Sequence, residues 1–340
     1  MRTYTIVPDG PFSLAAAAAF GFGPRTGRPT PAGGEMRLAF VTDDMRHHAA
    51  VHLAQRPDGA IKAVVESDAD DEAVLRQVRR ILSLDHPGGP WAALGERDRV
   101  LGALQREHDW LRPVLFHSPY EAAAWSLISA RRYRAQAQAV RTRICAELGA
   151  MRAVAGEEVP AFPLPERLLT AEALPGMAAN RVAWLREVAR AALDGQLDAP
   201  RLAAMAPGDA LAELQKLPGI GPMYATLILL RATGVADMLT STEPRLPGYV
   251  AHFYGAGPEA ATRAEVERIA EGWRPYRTWA AVLVRAAGDR LGLAQAALAA
   301  ARAAGDAGGT LPCFPTAKHS LAAVPAAGRR YQPGERTASR

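Results

Sequence analysis

The stretch Leu214-Gln215-Lys216-Leu217-Pro218-Gly219-Ile220-Gly221-Pro222-Met223-Tyr224-Ala225 carries the clearest chemical signal in the chain. It predicts a short helix that stops at Leu217, a tight Pro-Gly-x-Gly turn, and a second helix that starts at Pro222. Glycines admit backbone conformations that a Cβ would hinder. They also leave amides open at a helix N-terminus, where an anion binds well, and a DNA phosphate fits that role. The backbone carbonyls of Gln215, Leu217 and Ile220 could hold a monovalent cation, Na+ or K+, that bridges to the phosphate. An ordinary helical hairpin with a glycine turn is the alternative this segment leaves open.

Other residues of chemical interest are fewer. Arg131, Arg132, Arg134, Arg141 and Arg143 form a basic run with no carboxylate between them. Spread over several helical turns, they suit either a DNA-facing stripe or a solvated helix face. Tyr133 interleaves with them. Of 40 basic residues only Lys62, Lys216 and Lys318 are lysines, which limits where a Schiff-base nucleophile can sit. His47, His48 and His52 lie beside a predicted strand without ligand-spaced partners, so a metal is not expected there. Cys145 falls on an apolar helix face and reads as core. No phosphate loop of the P-loop or dinucleotide type is present.

The elements that must position these groups follow from composition and pattern. A length of 340 residues suggests two domains, and 49% apolar residues suffice for sizeable cores. With 22% charged residues, the profile excludes a wholly disordered or collagen-like chain. Two cysteines cannot build a disulfide framework, so a reducing cytoplasm is expected. No run of about 18 uncharged apolar residues suggests a membrane span. The apolar run 12–22 is short, Gly-broken and unlike a signal peptide. The net charge of +5 is a modest basic excess for this length.

Residues 1–112 read as mixed α and β. Alternation marks strands at Arg2–Val7 and Met36–Val41, the second with Met36, Leu38 and Phe40 on one face. Ala49–Gln55 and Ala60–Glu66 flank Pro57-Asp58-Gly59, a hairpin signal. Asp70–Leu82 has helical spacing. From residue 118 the pattern is helical. Ser118-Pro119-Tyr120-Glu121 reads as a capping box opening a helix that runs to about Leu148, with Gly149 as its stop. A loop and short helix are expected over Phe162–Leu169, then helices over Asn180–Leu193, Ala210–Lys216 capped by Asp209, Pro222–Thr233, 259–272 and 276–292. The fold class is thus α+β: a small N-terminal antiparallel sheet with helices over 1–112, followed by an all-α domain over 113–295. The Ala-, Gly- and Pro-rich tail over 303–340 is expected to be disordered.

Four segments, in order, resemble the helix-hairpin-helix DNA glycosylases, and the DNA-3-methyladenine glycosylase II group in particular. Leu217–Gly221 resembles their hairpin. Trp273-Arg274-Pro275-Tyr276-Arg277-Thr278-Trp279-Ala280 looks like their W-[KR]-P-[WY]-R-[ST]-[WY]-A segment. Phe162-Pro163-x-Pro165-x-Arg167-Leu168 resembles their FPTPxxL entry, and Leu174–Leu197 their next helical segment. The resemblance covers about residues 113–292. It implies a helix-hairpin-helix glycosylase domain with a DNA cleft beside the hairpin. The implied partner is double-stranded DNA carrying damaged bases, the implied protein a monomer off the membrane, and no organic cofactor is required.

The resemblance also implies a chemistry. Base excision breaks the bond between a base and its deoxyribose after the base has left the stack. A carboxylate stabilises the positive charge that develops on the sugar. The family uses an Asp, and Glu243 in Thr242-Glu243-Pro244-Arg245 matches it, expected as the N-cap of a helix that Pro244 opens. Phosphate anchoring falls to Leu217, Gly219, Ile220, Gly221 and Met223. Ala130, Arg131 and Arg132 replace the family's Gln-bearing wedge segment, with Arg131 nearest the wedge position. Met223 stands where bifunctional lyases carry Lys, which implies hydrolysis without lyase chemistry. Phe20, Met223, Tyr224 and Arg285 are expected to shape the base pocket, which departs from the family's aromatic lining. The expected activity is excision of alkylated, 3-methyladenine-type bases. The alternative is a catalytically impaired relative that binds damaged or distorted DNA.

Overall fold

The computed structural model describes residues 1–20, 34–240, 242–255 and 261–303. The expected disordered tail lies outside the described residues, apart from its first residue.

Chain order in the first part is β1 (Arg2–Ile6), α1 (Leu14–Phe20), β2 (Glu35–Val41), β3 (His48–Gln55), β4 (Ile61–Ser67), α2 (Asp71–Ile81), α3 (Gly88–Arg97) and α4 (Arg99–Glu107). The four strands form one antiparallel sheet in the order β1-β4-β3-β2. The hairpin expected at Pro57-Asp58-Gly59 joins β3 to β4. Gly59 takes φ +85° there, and Asp58 accepts the Ala60 N–H at 3.0 Å. Leu38, Phe40, Val51, Leu53, Ile61 and Val65 pack beneath Val74, Val78 and Ile81 of α2. Asp70 caps α2 by accepting the Ala73 N–H at 2.9 Å.

Among the described residues, the remainder is helical apart from one hairpin. It comprises α5 (Pro119–Ser129), α6 (Arg134–Leu148), β5 (Ala150–Val154), β6 (Glu157–Ala161), α7 (Pro165–Leu169), α8 (Ala179–Leu193), α9 (Ala199–Ala204), α10 (Pro207–Leu214), α11 (Pro222–Ala232), α12 (Leu246–Tyr254), α13 (Arg263–Glu271), α14 (Arg277–Arg290) and α15 (Ala294–Ala303). Helices α5, α6, α8 and α11 share one core. A second core joins Trp91, Leu94, Leu101 and Leu104 to α12, α13 and α14. The Trp273–Trp279 segment is its centre: Trp279 lies 5.6 Å from Trp91 and 4.8 Å from Tyr276, ring to ring. No described helix is long and apolar enough to cross a membrane.

Several expectations are corrected. The helix expected from Ser118 to Leu148 breaks at Ala130–Tyr133, where Arg131 takes φ +56°. Ser118 does accept the Glu121 N–H at 3.2 Å, but the capping box is only half made. The Glu121 carboxylate turns inward to the Val41 N–H, His117 and Arg141 instead. Asp209 sits inside the first turn of α10, which opens at Pro207, so it meets the helix dipole rather than capping. The hairpin β5–β6 was not expected from the sequence. Its strands are short, and its two-residue turn, Ala155-Gly156, has both φ values positive.

Candidate active site

Gly219 is required by its surroundings. Its φ is +80°, and a Cβ there would lie 2.6 Å from the Trp184 ring and 2.8 Å from Leu127. Side chains of α5 and α8 therefore press directly on the turn. The Ile220 N–H closes it onto the Leu217 carbonyl at 3.1 Å. Gly221 differs. Its φ of −85° is ordinary, and a Cβ would meet nothing within 4 Å. The glycine there leaves open space over the N-terminus of α11, which no side chain caps. The carbonyls of Gln215 and Ile220 accept no hydrogen bond among the described residues, and Leu217 accepts one. Such a set of hard oxygen donors suits a monovalent cation.

The break after α5 sits against this hairpin through Leu127. Arg181, on α8, donates to the Leu127 carbonyl at 3.0 Å and the Ala130 carbonyl at 2.9 Å, so it closes the end of α5. Arg132 donates to the Ile128 and Gly176 carbonyls, each at 2.7 Å. Two guanidiniums thus hold the turn. Arg131 at its apex is exposed and makes no hydrogen bond or ion pair among the described residues. Tyr133 beside it is 75% exposed. Arg141 of the same basic run is buried, pairs with Glu121 at 3.3 Å and lies 5.8 Å from the centre of the Phe162 ring. It belongs to the scaffold.

Behind the hairpin, α11, residues 238–240 and 242–246, and α14 enclose a pocket. Met223, Leu230, Arg231, Met238, Glu243 and Arg285 are among its walls, and among the described residues no aromatic side chain lines it. The structure therefore brings together Met223, Glu243 and Arg285 of the expected site. Phe20 is one layer back, 5.3 Å from the Arg231 guanidinium. Tyr224 packs against the core of α5 and α8 instead. Burial there raises its phenol pKa, against the charge of Arg181. Lys216 lies outside the pocket and pairs with Glu213 at 2.6 Å. Asp237 is held by Arg274 and Arg277 at 2.9 and 2.7 Å.

Glu243 is not the N-cap of α12. Pro244 serves as the second residue of a turn, closed by the Leu246 N–H on the Glu243 carbonyl at 3.3 Å, and the helix starts at Leu246. The Glu243 carboxylate folds forward onto Arg245. Oε1 accepts the Arg245 N–H at 3.2 Å and Nε at 2.9 Å, and Oε2 accepts Nη2 at 3.1 Å. Arg245 in turn donates through Nη1 to Asp289 at 2.9 Å. Asp289 also accepts the Tyr249 hydroxyl at 2.6 Å and lies 3.7 Å from Arg285. Burial works against the charge on Arg245, yet Glu243 and Asp289 raise its pKa. On Arg285 burial dominates and lowers it, with Glu243 acting the other way. On Tyr249 burial and the bond to Asp289 both push the pKa up. Sequence reasoning found neither Arg245 nor Asp289. Nor did it find Arg181 and Trp184, which shape the turns on the outer face.

The fold is shared with solved proteins. A 3-methyladenine DNA-glycosylase from Archaeoglobus fulgidus superposes with a TM-score of 0.67 at 22% identity, over 83% of this chain and 96% of that one. The chain has the fold of the helix-hairpin-helix DNA glycosylases. A Clostridium acetobutylicum 8-oxoguanine glycosylase/lyase, solved with duplex DNA, matches with a TM-score of 0.53 at 15% identity, over 72% of this chain and 86% of that one. In sequence, DNA-3-methyladenine glycosylase 2 of Escherichia coli strain K12 is 34% identical over 130 residues, covering 35% of this chain. The chain spans about 40% of the length of that relative. No protein-family model matches the chain. The resemblance read from the four sequence segments is thus met by a relative and by a fold.

Proposed function

We propose that the chain is a monofunctional DNA glycosylase. It binds duplex DNA as a monomer, takes a damaged base out of the stack and hydrolyses the bond to its sugar, leaving an abasic site. The observation that carries this reading is that Glu243 and Met223 face one pocket directly behind the glycine hairpin. The hairpin amides and Gly221 would receive a backbone phosphate. Arg131 would enter the gap left by the base. Glu243 would stabilise the cationic sugar and orient water. With Met223 in the pocket and Lys216 outside it, no lysine among the described residues lines the pocket to form a Schiff base. Hydrolysis needs no organic cofactor. The carbonyls of Gln215, Leu217 and Ile220 would hold a monovalent cation that steadies the phosphate. Alkylated bases, the class for which the Escherichia coli relative is named, are the first to try.

A second reading has its own observation. The Glu243–Arg245 pair partly neutralises the carboxylate, as befits a relative that binds distorted DNA without releasing a base. Single-turnover base release decides between the two, with wild type beside Glu243→Gln and duplex binding measured on both. Release by wild type and its loss in the variant supports the enzyme. Binding without release, from a panel of alkylated, deaminated and oxidised bases, supports the binding protein. Failure of borohydride to trap a covalent adduct supports hydrolysis over lyase chemistry.

A further inference from the structure

Among the described residues, four threonines line the pocket beside Glu243: Thr226, Thr240, Thr242 and Thr278. Two of them commit their hydroxyl protons to the chain. Thr226 Oγ1 donates to the Pro222 carbonyl at 2.9 Å. Thr278 Oγ1 donates to the Met238 carbonyl at 2.9 Å and accepts the Met238 N–H at 3.0 Å. Thr240 and Thr242 differ. Their hydroxyls lie 2.7 Å apart, and Thr240 Oγ1 also accepts the Thr242 N–H at 3.0 Å. Each hydroxyl has one proton and two lone pairs. The bond between the two uses one of their two protons, whichever oxygen donates it. The other proton has no acceptor among the described residues.

This spare donor belongs to a pocket wall built largely of methionines, leucines, Ala281 and Val282. A hydrogen bond made among such groups is stronger than one made in water. Arg231 and Arg285, in the same wall, have partners in Val114 and Asp289. Thr242 adjoins Glu243 in sequence, so the donor stands next to the carboxylate assigned to the sugar.

A base in this pocket presents acceptors along its edge, ring nitrogens and carbonyl oxygens. When the C1′–N bond breaks, its electron pair stays on the base nitrogen. A water oxygen bonds to C1′, and the proton that water loses ends on the departing base. Until that proton arrives, electron density rises on the acceptors of the base. A hydroxyl that donates to one of them binds more tightly in the transition state than in the ground state, and it keeps its own proton throughout.

We infer that the Thr240–Thr242 hydroxyl pair determines specificity by donating a hydrogen bond to an acceptor on the departing base. The inference rests on the glycosylase reading.

The test is single-turnover release by the full chain. It starts from the base released fastest among 7-methylguanine, hypoxanthine, 8-oxoguanine and uracil in duplex DNA. Analogues of that base follow, each lacking one acceptor, with a ring nitrogen replaced by C–H or a carbonyl oxygen removed. Each rate is taken relative to spontaneous loss of the same base, so differences in leaving ability cancel. Wild type should accelerate one analogue about tenfold less than the parent base. In the double variant Thr240→Val, Thr242→Val that difference should vanish, with duplex affinity unchanged. Thr240→Ser with Thr242→Ser keeps both hydroxyls and should keep the difference. Equal acceleration of parent and every analogue by wild type, a result that needs no variant to fold, overturns the inference and leaves the glycosylase reading standing. A difference that survives in the folded valine variant assigns the contact to another group and overturns it too. A loss in that variant that is equal for parent and analogues places the pair's action away from the base, with the same consequence. Release of none of the four bases overturns the glycosylase reading itself, and the inference with it.

Discussion

Glu243 and Arg245, two residues apart, form a two-pronged ion pair in which both carboxylate oxygens and two guanidinium nitrogens take part. The pair is mostly buried, with side-chain exposures of 11% and 4%. Asp289 holds the far side of Arg245. The carboxylate is thereby fixed in one orientation at the pocket wall, and removing the arginine takes an ion-pair partner from both Glu243 and Asp289. Arg245→Met is therefore expected to cost about 2–4 kcal/mol of stability, because one member of a buried network is lost. It should lower base release about tenfold or more, with duplex affinity unchanged. Chemical denaturation checks the first effect, and single-turnover release the second. An unchanged midpoint would mean that the pair carries no structural weight.

The two hairpin glycines should separate on mutation. Gly219→Ala forces a side chain into a positive φ and against Trp184 and Leu127. A loss of about 2–4 kcal/mol is expected. Gly221→Ala meets no atom of the chain within 4 Å and has an ordinary φ. Its stability should change by less than about 0.5 kcal/mol. Its affinity for duplex should nonetheless fall, because the added methyl stands where a phosphate would approach. Equal loss of stability in both variants would contradict the geometry.

Much of this is legible in the sequence, and the exceptions share a cause. Pro-Gly-x-Gly, Asp70 before α2 and Asp58-Gly59 between β3 and β4 are local signals, and each lies where its chemistry puts it. The break at Ala130–Tyr133 has no such signal. Ser129-Ala130-Arg131-Arg132-Tyr133 contains neither Gly nor Pro, and the turn is imposed from 51 residues away by Arg181. The partners of Arg245 are likewise split between its neighbour Glu243 and Asp289, which is 44 residues away. A lone sequence gives no sign that Glu243 would turn from the helix amides to a side chain. Arg141 looks equivalent to Arg131 in sequence because spacing alone cannot tell a buried guanidinium from a solvated one. Glu121 on the neighbouring helix decides the matter.

That distinction makes a salt-dependent prediction. Arg131→Ala should weaken duplex binding and reduce the slope of log affinity against log salt by about 1, with melting unchanged. Arg141→Ala should do the reverse. It leaves Glu121 buried without one of its cations and lowers stability by about 3 kcal/mol, while the salt slope stays as in wild type. Salt titrations of binding beside thermal melts read both. A steep loss of salt dependence in Arg141→Ala would return that residue to the DNA face.

Glu121 also sets an acid limit for the fold. Burial opposes its charge, but His117, Arg141 and the Val41 N–H together lower its pKa to about 2. An unfolded glutamate titrates near 4.3. Folded protein therefore holds this carboxylate ionised where the unfolded chain has already protonated it. The stability this supplies is complete above about pH 4.3 and is lost as pH falls toward about 2, up to about 3 kcal/mol in all. Glu121→Gln should remove that share at neutral pH, and its stability should fall less steeply between about pH 4.3 and 2 than that of wild type. Since Glu121 joins β2 to α5 and α6, the loss should also be visible as earlier amide exchange at Val41. Parallel stability-against-pH curves for the two proteins over this range would show that another carboxylate sets the limit.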